Sequence, residues 1–329
     1  MGRDKTFSAK TANTNFTAVL VIVLTVLAML YTTVKNYPTI MLDTNGLIQQ
    51  ELQNPSDALS QALFFVNLGL IVITCILLLV MNNSFSIIRN KTLLPCLFYT
   101  LFLVTDTDIF FSFSGNVVTL VIVLVFFQLF KFYQKTRTNE EAFNIGFIVA
   151  IGSLLAPRIL LFMPVIWIGF SFFKVNSIKV YLASIMGILT PYWLVFFWLV
   201  YKGNLQDFLT PFQNLFGYNP GTVLHFETSG WIRMIFTVFI TILAIINFQL
   251  HNFMDKIRSR IIFYFLFTIM VIVGILLSLG IVPLNEYGGI YFLIAALFAS
   301  HYFSTANGRI NTIFFYLVLI TYIGLIFFK

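Results

Sequence analysis

The chain has 329 residues, of which 59% are hydrophobic and 9% charged, with a mean hydropathy of +0.94. Soluble domains carry about 25% charged residues, so water is not the main solvent of this protein. A net charge of +7 in a soluble domain would suggest nucleic acid; here the basic residues sit in short connections between apolar runs, where they orient helices and meet anionic lipid, so no nucleic-acid partner is expected.

In hydrocarbon every backbone N–H and C=O must be satisfied within the chain, so spans of about 20 apolar residues are read as helices. The 40 Phe and 14 Tyr fall in long stretches without the alternation of a barrel strand. The expected fold is all-α: one polytopic integral membrane helical bundle covering residues 1–329. Residues 1–14 are basic and polar, and the apolar run after them, roughly 16–34, is long and lacks a small-residue cleavage site, so it reads as a retained first span. Further spans follow at roughly 61–81, 94–113, 116–132, 143–156, 159–173, 180–201, 232–250, 261–281, 290–304 and 311–328, about eleven transmembrane helices in all. The fifth and sixth are short and separated only by Pro157-Arg158, which suits either a small hairpin or one kinked helix. Cys75 and Cys96 both fall inside spans and read as small core residues rather than a disulfide or metal framework.

The connections differ in character. Those at 82–93 and 251–260 are short and basic, whereas 35–60 and 202–231 are long, and long loops in a compact protein are usually functional. The first long loop spaces Leu42, Leu47, Ile48, Leu52 and Leu59 among polar residues, a pattern for short amphipathic helices on the membrane surface. The second mixes Phe208, Phe212, Phe216 and Tyr218 with Pro211, Gly217, Pro220 and Gly221, as an aromatic re-entrant or lid-like element does. No internal repeat is visible, so the inverted-repeat signature of many transporters is not supported.

Threaded through a bilayer from a cytoplasmic N-terminus, the charges sort by side. Fourteen cations (Arg3, Lys5, Lys10, Arg89, Lys91, Lys131, Lys135, Arg137, Lys174, Lys179, Lys256, Arg258, Arg260, Arg309) fall inside, against Lys35, Arg158, Lys202, Arg233 and Lys329 outside. Most acids fall outside: Asp43, Glu51, Asp57, Asp106, Asp108, Asp207, Glu227 and Glu286. This positive-inside pattern presents the acidic chemistry to the outer face.

Four groups of residues can carry chemistry there. Asp43, just beyond the first span, can act as a base or hold a metal, or can simply cap a turn before Thr44-Asn45-Gly46. Asp106 and Asp108 lie between two very apolar runs, where acids are costly, and their spacing suits a divalent cation or a phosphate reached through one. The alternative is a loop that emerges at the interface with both acids in water. Arg158 departs from the inner basic belt, and its guanidinium can bind phosphate or snorkel to the interface. Lys202, His225 and Arg233, around the second long loop, can complete an anion site. The sequence holds no Walker loop, no GxSxG and no dinucleotide fingerprint, and its three histidines are too few for a di-iron membrane oxygenase.

An inner N-terminus, one span, an outer loop with Asp43, a second outer acid pair and then short paired helices resemble the GT-C class of membrane glycosyltransferases. The stretch APRILLFMPVIWIGFSFFKVNSIKVYLASIMGILTPYWLVFFWLV looks like the middle region of that class, and the whole chain is similar to bacterial polytopic inner-membrane proteins of about this length. The likeness covers mainly residues 1–200; the first outer loop is short for the class, and Asp43 is not followed by a second acid. The resemblance implies a bacterial inner (cytoplasmic) membrane protein that takes a sugar from a polyprenyl-phosphate carrier on the outer face. Asp43 would then be base or metal ligand, Asp106 and Asp108 would support a cation or the acceptor, and Arg158 would contact the carrier phosphate. Two other readings stay open: a transporter or flippase of a lipid-linked substrate, and a non-catalytic assembly subunit docking a membrane protein partner.

Overall fold

The structure is a computed structural model that describes residues 57–89, 92–133, 138–203, 228–305 and 309–327, together with positions 23, 26, 27, 29–31, 34, 208, 209 and 212. Among the described residues there is no strand, and the main helices are α1 (Asp57–Phe85), α2 (Leu94–Thr105), α3 (Thr107–Phe110), α4 (Phe113–Phe130), α5 (Asn139–Leu155), α6 (Met163–Phe172), α7 (Ile178–Lys202), α8 (Thr228–His251), α9 (Ile257–Ser278), α10 (Leu284–Thr305) and α11 (Arg309–Phe327). A 3-10 turn, Pro157–Phe162, joins α5 to α6. The protein is thus a helical bundle, and five stretches, in α1, α4, α7, α8 with the short turn that follows it, and α9, are long and apolar enough to cross a membrane. The described positions of the first expected span are helical.

The helices differ in what surrounds them. On α1, Phe64, Asn67, Ile71, Thr74, Leu78 and Met81 are buried at helical spacing, while Phe65, Val72, Ile76 and Val80 point outward. Both faces are apolar, as expected of a helix with protein on one side and lipid on the other. By contrast, α10 buries every side chain from Glu286 to His301. Its Gly288, Gly289, Ala295, Ala296, Ala299 and Ser300 are small, which lets α2, α4, α8 and α9 close around it. A second close seam joins α5 to α7, where a Cβ on Gly146 would meet the Ser184 carbonyl and one on Gly187 the Phe143 carbonyl.

Several expected boundaries are corrected. The span 94–113 is two helices, broken at Asp106. The Pro157-Arg158 junction is a 3-10 turn between two helices, because Pro157 lacks a donor and fits only the first turn of a new helical segment. The helix expected from 290 starts at Leu284, since its polar first turn is buried by protein rather than lipid. The end of the loop expected at 35–60 is already helix from Asp57, and its remainder lies outside the described residues. In the loop expected at 202–231, Phe208 and Phe212 pack against Tyr192 of α7 at ring distances of 6.3 and 5.3 Å.

Contacts define two ends of the bundle. At one, Arg233 reaches Thr105, Gly115 adjoins Asn285, and Phe162 stacks on Tyr287. At the other, Ser259 bonds the Ser86 carbonyl, Arg258 the Phe130 carbonyl, and Asp255 pairs with His301. Asp106, Asp108, Arg158, Arg233 and Glu286 gather at the first, the acidic end, and Arg258, Arg260 and Lys256 at the second, the basic end.

Candidate functional site

The acidic end is organised by the break between α2 and α3. The Thr105 hydroxyl turns back to the Phe102 carbonyl at 2.8 Å, and Asp106 is extended, with φ −111° and ψ 98°. Asp106 therefore ends one helix and stands at the N-cap position of the next, without a side-chain capping hydrogen bond. The Thr105 carbonyl exposed by the break accepts from Arg233 Nη1 at 2.6 Å, which places a guanidinium at the negative end of α2. Two buried amides hold the far side of the break: Asn67 and Asn116 both donate to the Phe110 carbonyl, at 3.0 and 2.9 Å, and Asn116 donates to Asn67 Oδ1 at 2.9 Å. Ser112 then caps α4 by accepting from the Gly115 amide.

This frame positions the two acids differently. Asp108 is exposed at the end of the bundle, whereas Asp106 is half-buried. Burial raises the Asp106 carboxyl above its ordinary range, and the neighbouring Asp108 charge raises it further. Arg233 and the amides of Ile109 and Asp108 pull the other way without cancelling the effect.

The second break supplies Arg158. Ala156 leaves α5 with φ −127° and ψ 86°, and the 3-10 turn carries Arg158 inward until it is 8% exposed. Its Nε is buried and makes no hydrogen bond among the described residues. The first turn of α10 lies alongside: Phe162 stacks on Tyr287 at 5.4 Å and 4°, and the neighbouring Glu286 is buried at 3% exposure. That same turn of α10 packs on the first break, with Gly288 against Ile109 and Asn285 against Gly115.

Of the residues expected from sequence, Asp106, Asp108 and Arg233 meet at one break, and Arg158 lies at the other, with the first turn of α10 between them. Lys202 ends α7, exposed, with its ammonium 5.3 Å from the Trp198 ring, as an interfacial anchor would be. Asp43 and His225 lie outside the described residues. Sequence reasoning assigns no role to Glu286, Tyr287, Asn67 or Asn116. The only signal for them is a polar group inside or beside an apolar run. Among the described residues no three His, Cys, Asp or Glu side chains are grouped to hold a metal. A divalent cation at Asp106 and Asp108 would therefore take further ligands from water or a substrate phosphate, as magnesium commonly does.

No family model, no curated protein and no solved structure matches the chain.

Proposed function

We propose that this protein is a membrane-embedded enzyme that transfers a sugar from a polyprenyl-phosphate carrier, working at the acidic end of its bundle. The positive-inside bias of the sequence turns that end away from the cytoplasm. The observation that carries the reading is that two connections between helices meet at one end of the bundle, one bearing Asp106 and Asp108 and the other the buried Arg158. Charged groups enclosed within a membrane bundle are costly, and they mark functional sites by default.

In this reading the bond from the anomeric carbon to the carrier phosphate breaks as a bond to the acceptor hydroxyl oxygen forms. Asp106 takes the hydroxyl proton, and its raised pKa makes it a better base than an ordinary carboxylate. Arg158 neutralises the phosphate as it leaves, and a divalent cation, if Asp108 held one, would add positive charge beside it. Asp106→Asn and Arg158→Met, each in proteoliposomes with a labelled lipid-linked sugar, should lose transfer while remaining inserted. Transfer at the wild-type rate by both variants overturns the assignment.

A transporter of the same substrate class is the second reading, because enclosed charged groups such as Arg158 and Glu286 can also line a substrate path. Movement of the labelled lipid across the bilayer without release of its sugar would select it.

A further inference from the structure

The connection between α8 and α9, at the basic end, mixes cations with exposed apolar side chains. Its 3-10 turn, Asn252–Met254, buries none of its residues, and Phe253, Met254 and, at the start of α9, Ile257 are exposed. Lys256 lies among them, also exposed, while Asp255 is drawn inward to His301. The one acid of the connection is thus engaged inside the bundle, and Lys256 and Arg258 make no ion pair among the described residues.

Arg258 stands where two other helices end. Its guanidinium lies 4.7 Å from the Phe85 ring, at the end of α1, and 5.5 Å from the Tyr133 ring, and its Nη2 donates to the Phe130 carbonyl, at the end of α4, at 2.9 Å. That bond engages one of its five N–H donors, so the half-buried group is fixed by rings and a carbonyl rather than by an acid. Lys131 flanks the same aromatic cluster: its ammonium is 4.8 Å from the Phe127 ring, and Phe85 contacts Phe127 and Phe130 at 5.2 and 5.7 Å. Ser259 bonds the Ser86 carbonyl at 2.8 Å, and Arg89, three residues beyond Ser86, is exposed. Glu140 and Glu141 are in the first turn of α5, where the helix N-terminus itself favours negative charge.

Fixed cations beside exposed apolar side chains suit a ligand with the same two parts. Free phosphate would satisfy the cations but leave Phe253, Met254 and Ile257 in water. A phospholipid supplies both, a phosphodiester for the cations and acyl chains for the apolar side chains. We infer that the α8–α9 connection seats an anionic phospholipid, its phosphodiester held by Arg258 and Lys256, with Lys131 and Arg89 adding positive charge and the lipid chains lying over Phe253, Met254 and Ile257. The site is at the opposite end of the bundle from Asp106 and Arg158 and does not depend on the transfer reaction.

The test uses the full chain in neutral micelles, titrated with phosphatidylglycerol or phosphatidylcholine in ammonium acetate at roughly 0.15 M, where exposed charges more than about 8 Å apart are largely screened. Native mass spectrometry resolves each bound lipid and gives the affinity of the first. Wild type should bind phosphatidylglycerol at least about tenfold more tightly than phosphatidylcholine, and Arg258→Gln should remove that preference, since one charge-assisted hydrogen bond contributes about a tenfold factor. Lys256→Gln should lower it about fivefold, the factor of one cation near an anionic head group. Where Arg258→Gln loosens the end of α4, Lys256→Gln still reads the site, because the Lys256 side chain is exposed and bonds nothing among the described residues. Lys179→Gln removes an exposed cation from the start of α7, at the same end, and should leave the preference unchanged. Four outcomes overturn the inference: equal affinity for the two lipids, a preference that survives both Arg258→Gln and Lys256→Gln, a loss in Lys179→Gln as large as in Lys256→Gln, or release of the bound phosphatidylglycerol by excess glycerophosphate.

Discussion

Asp255→Asn tests how the basic end is held. Asp255 follows the short turn after α8, and its Oδ2 lies 2.8 Å from Nε2 of His301, on the last turns of α10. The side chains are 7% and 1% exposed, and the imidazole packs against the rings of Phe248 and Phe263, with centroids at 5.4 and 4.8 Å. The contact is a buried hydrogen bond between carboxylate and imidazole, and removing the acceptor leaves the ring nitrogen without its partner, which costs about 1–3 kcal/mol. The amide keeps the shape and some hydrogen bonding, so the expected loss is near the lower limit, about 1 kcal/mol. Asp255→Leu and His301→Leu should each lose more, and the double variant should recover most of the difference, since apolar side chains suit the neighbouring phenylalanines. Unfolding free energies from denaturant titration in mixed micelles measure all of these variants against wild type. Single variants within about 0.5 kcal/mol of wild type, the usual range for surface changes, or strictly additive losses in the double variant, would refute the argument.

Three further outcomes rest on the same geometry. Gly187→Leu should destabilise the bundle by about 1–3 kcal/mol, because its side chain meets the Phe143 backbone and cannot be relieved by a rotamer change; the same titration reads it. Asn116→Leu should cost about 1–3 kcal/mol by leaving Asn67 Oδ1 without its donor at 1% exposure, whereas replacing Asn67 and Asn116 together should cost less than the sum of the two single changes. In the proposed transfer reaction the Asp106 carboxylate is the active form, so activity should fall as pH drops through a value above the ordinary carboxylate range. Asp108→Asn removes a charge that raises that value and should move this acid limb to lower pH, while Arg233→Met should move it to higher pH. Limbs that coincide in wild type and both variants would remove Asp106 from the proton transfer.

Hydropathy reports contact with lipid, and that explains which parts of this protein are legible in its sequence. Long helices with a lipid face, such as α1 and α9, stand out as unbroken apolar runs, and the sorting of charge between two ends comes from their alternation. Arg158 is noticeable as a cation that departs from the basic belt, although its burial depends on α10, far along the chain. The break at Asp106 is hidden because Leu94 to Phe113 is apolar on both sides of the acids, and the interruption is stabilised by Arg233 and by Asn67, which lie 128 and 43 residues from the groups they bond. The first turn of α10 reads as loop for the complementary reason: a helix enclosed by other helices needs small residues and satisfied polar groups, not a high hydropathy. His301 and Asp255 are 46 residues apart, and nothing local pairs them. The groups with chemistry to offer therefore sit mostly at the break between α2 and α3, on the 3-10 turn and on α10, with Arg233 reaching in from α8. A segment need not be greasy once protein surrounds it, so the helices most free to carry polar side chains are those a lipid-based reading resolves least.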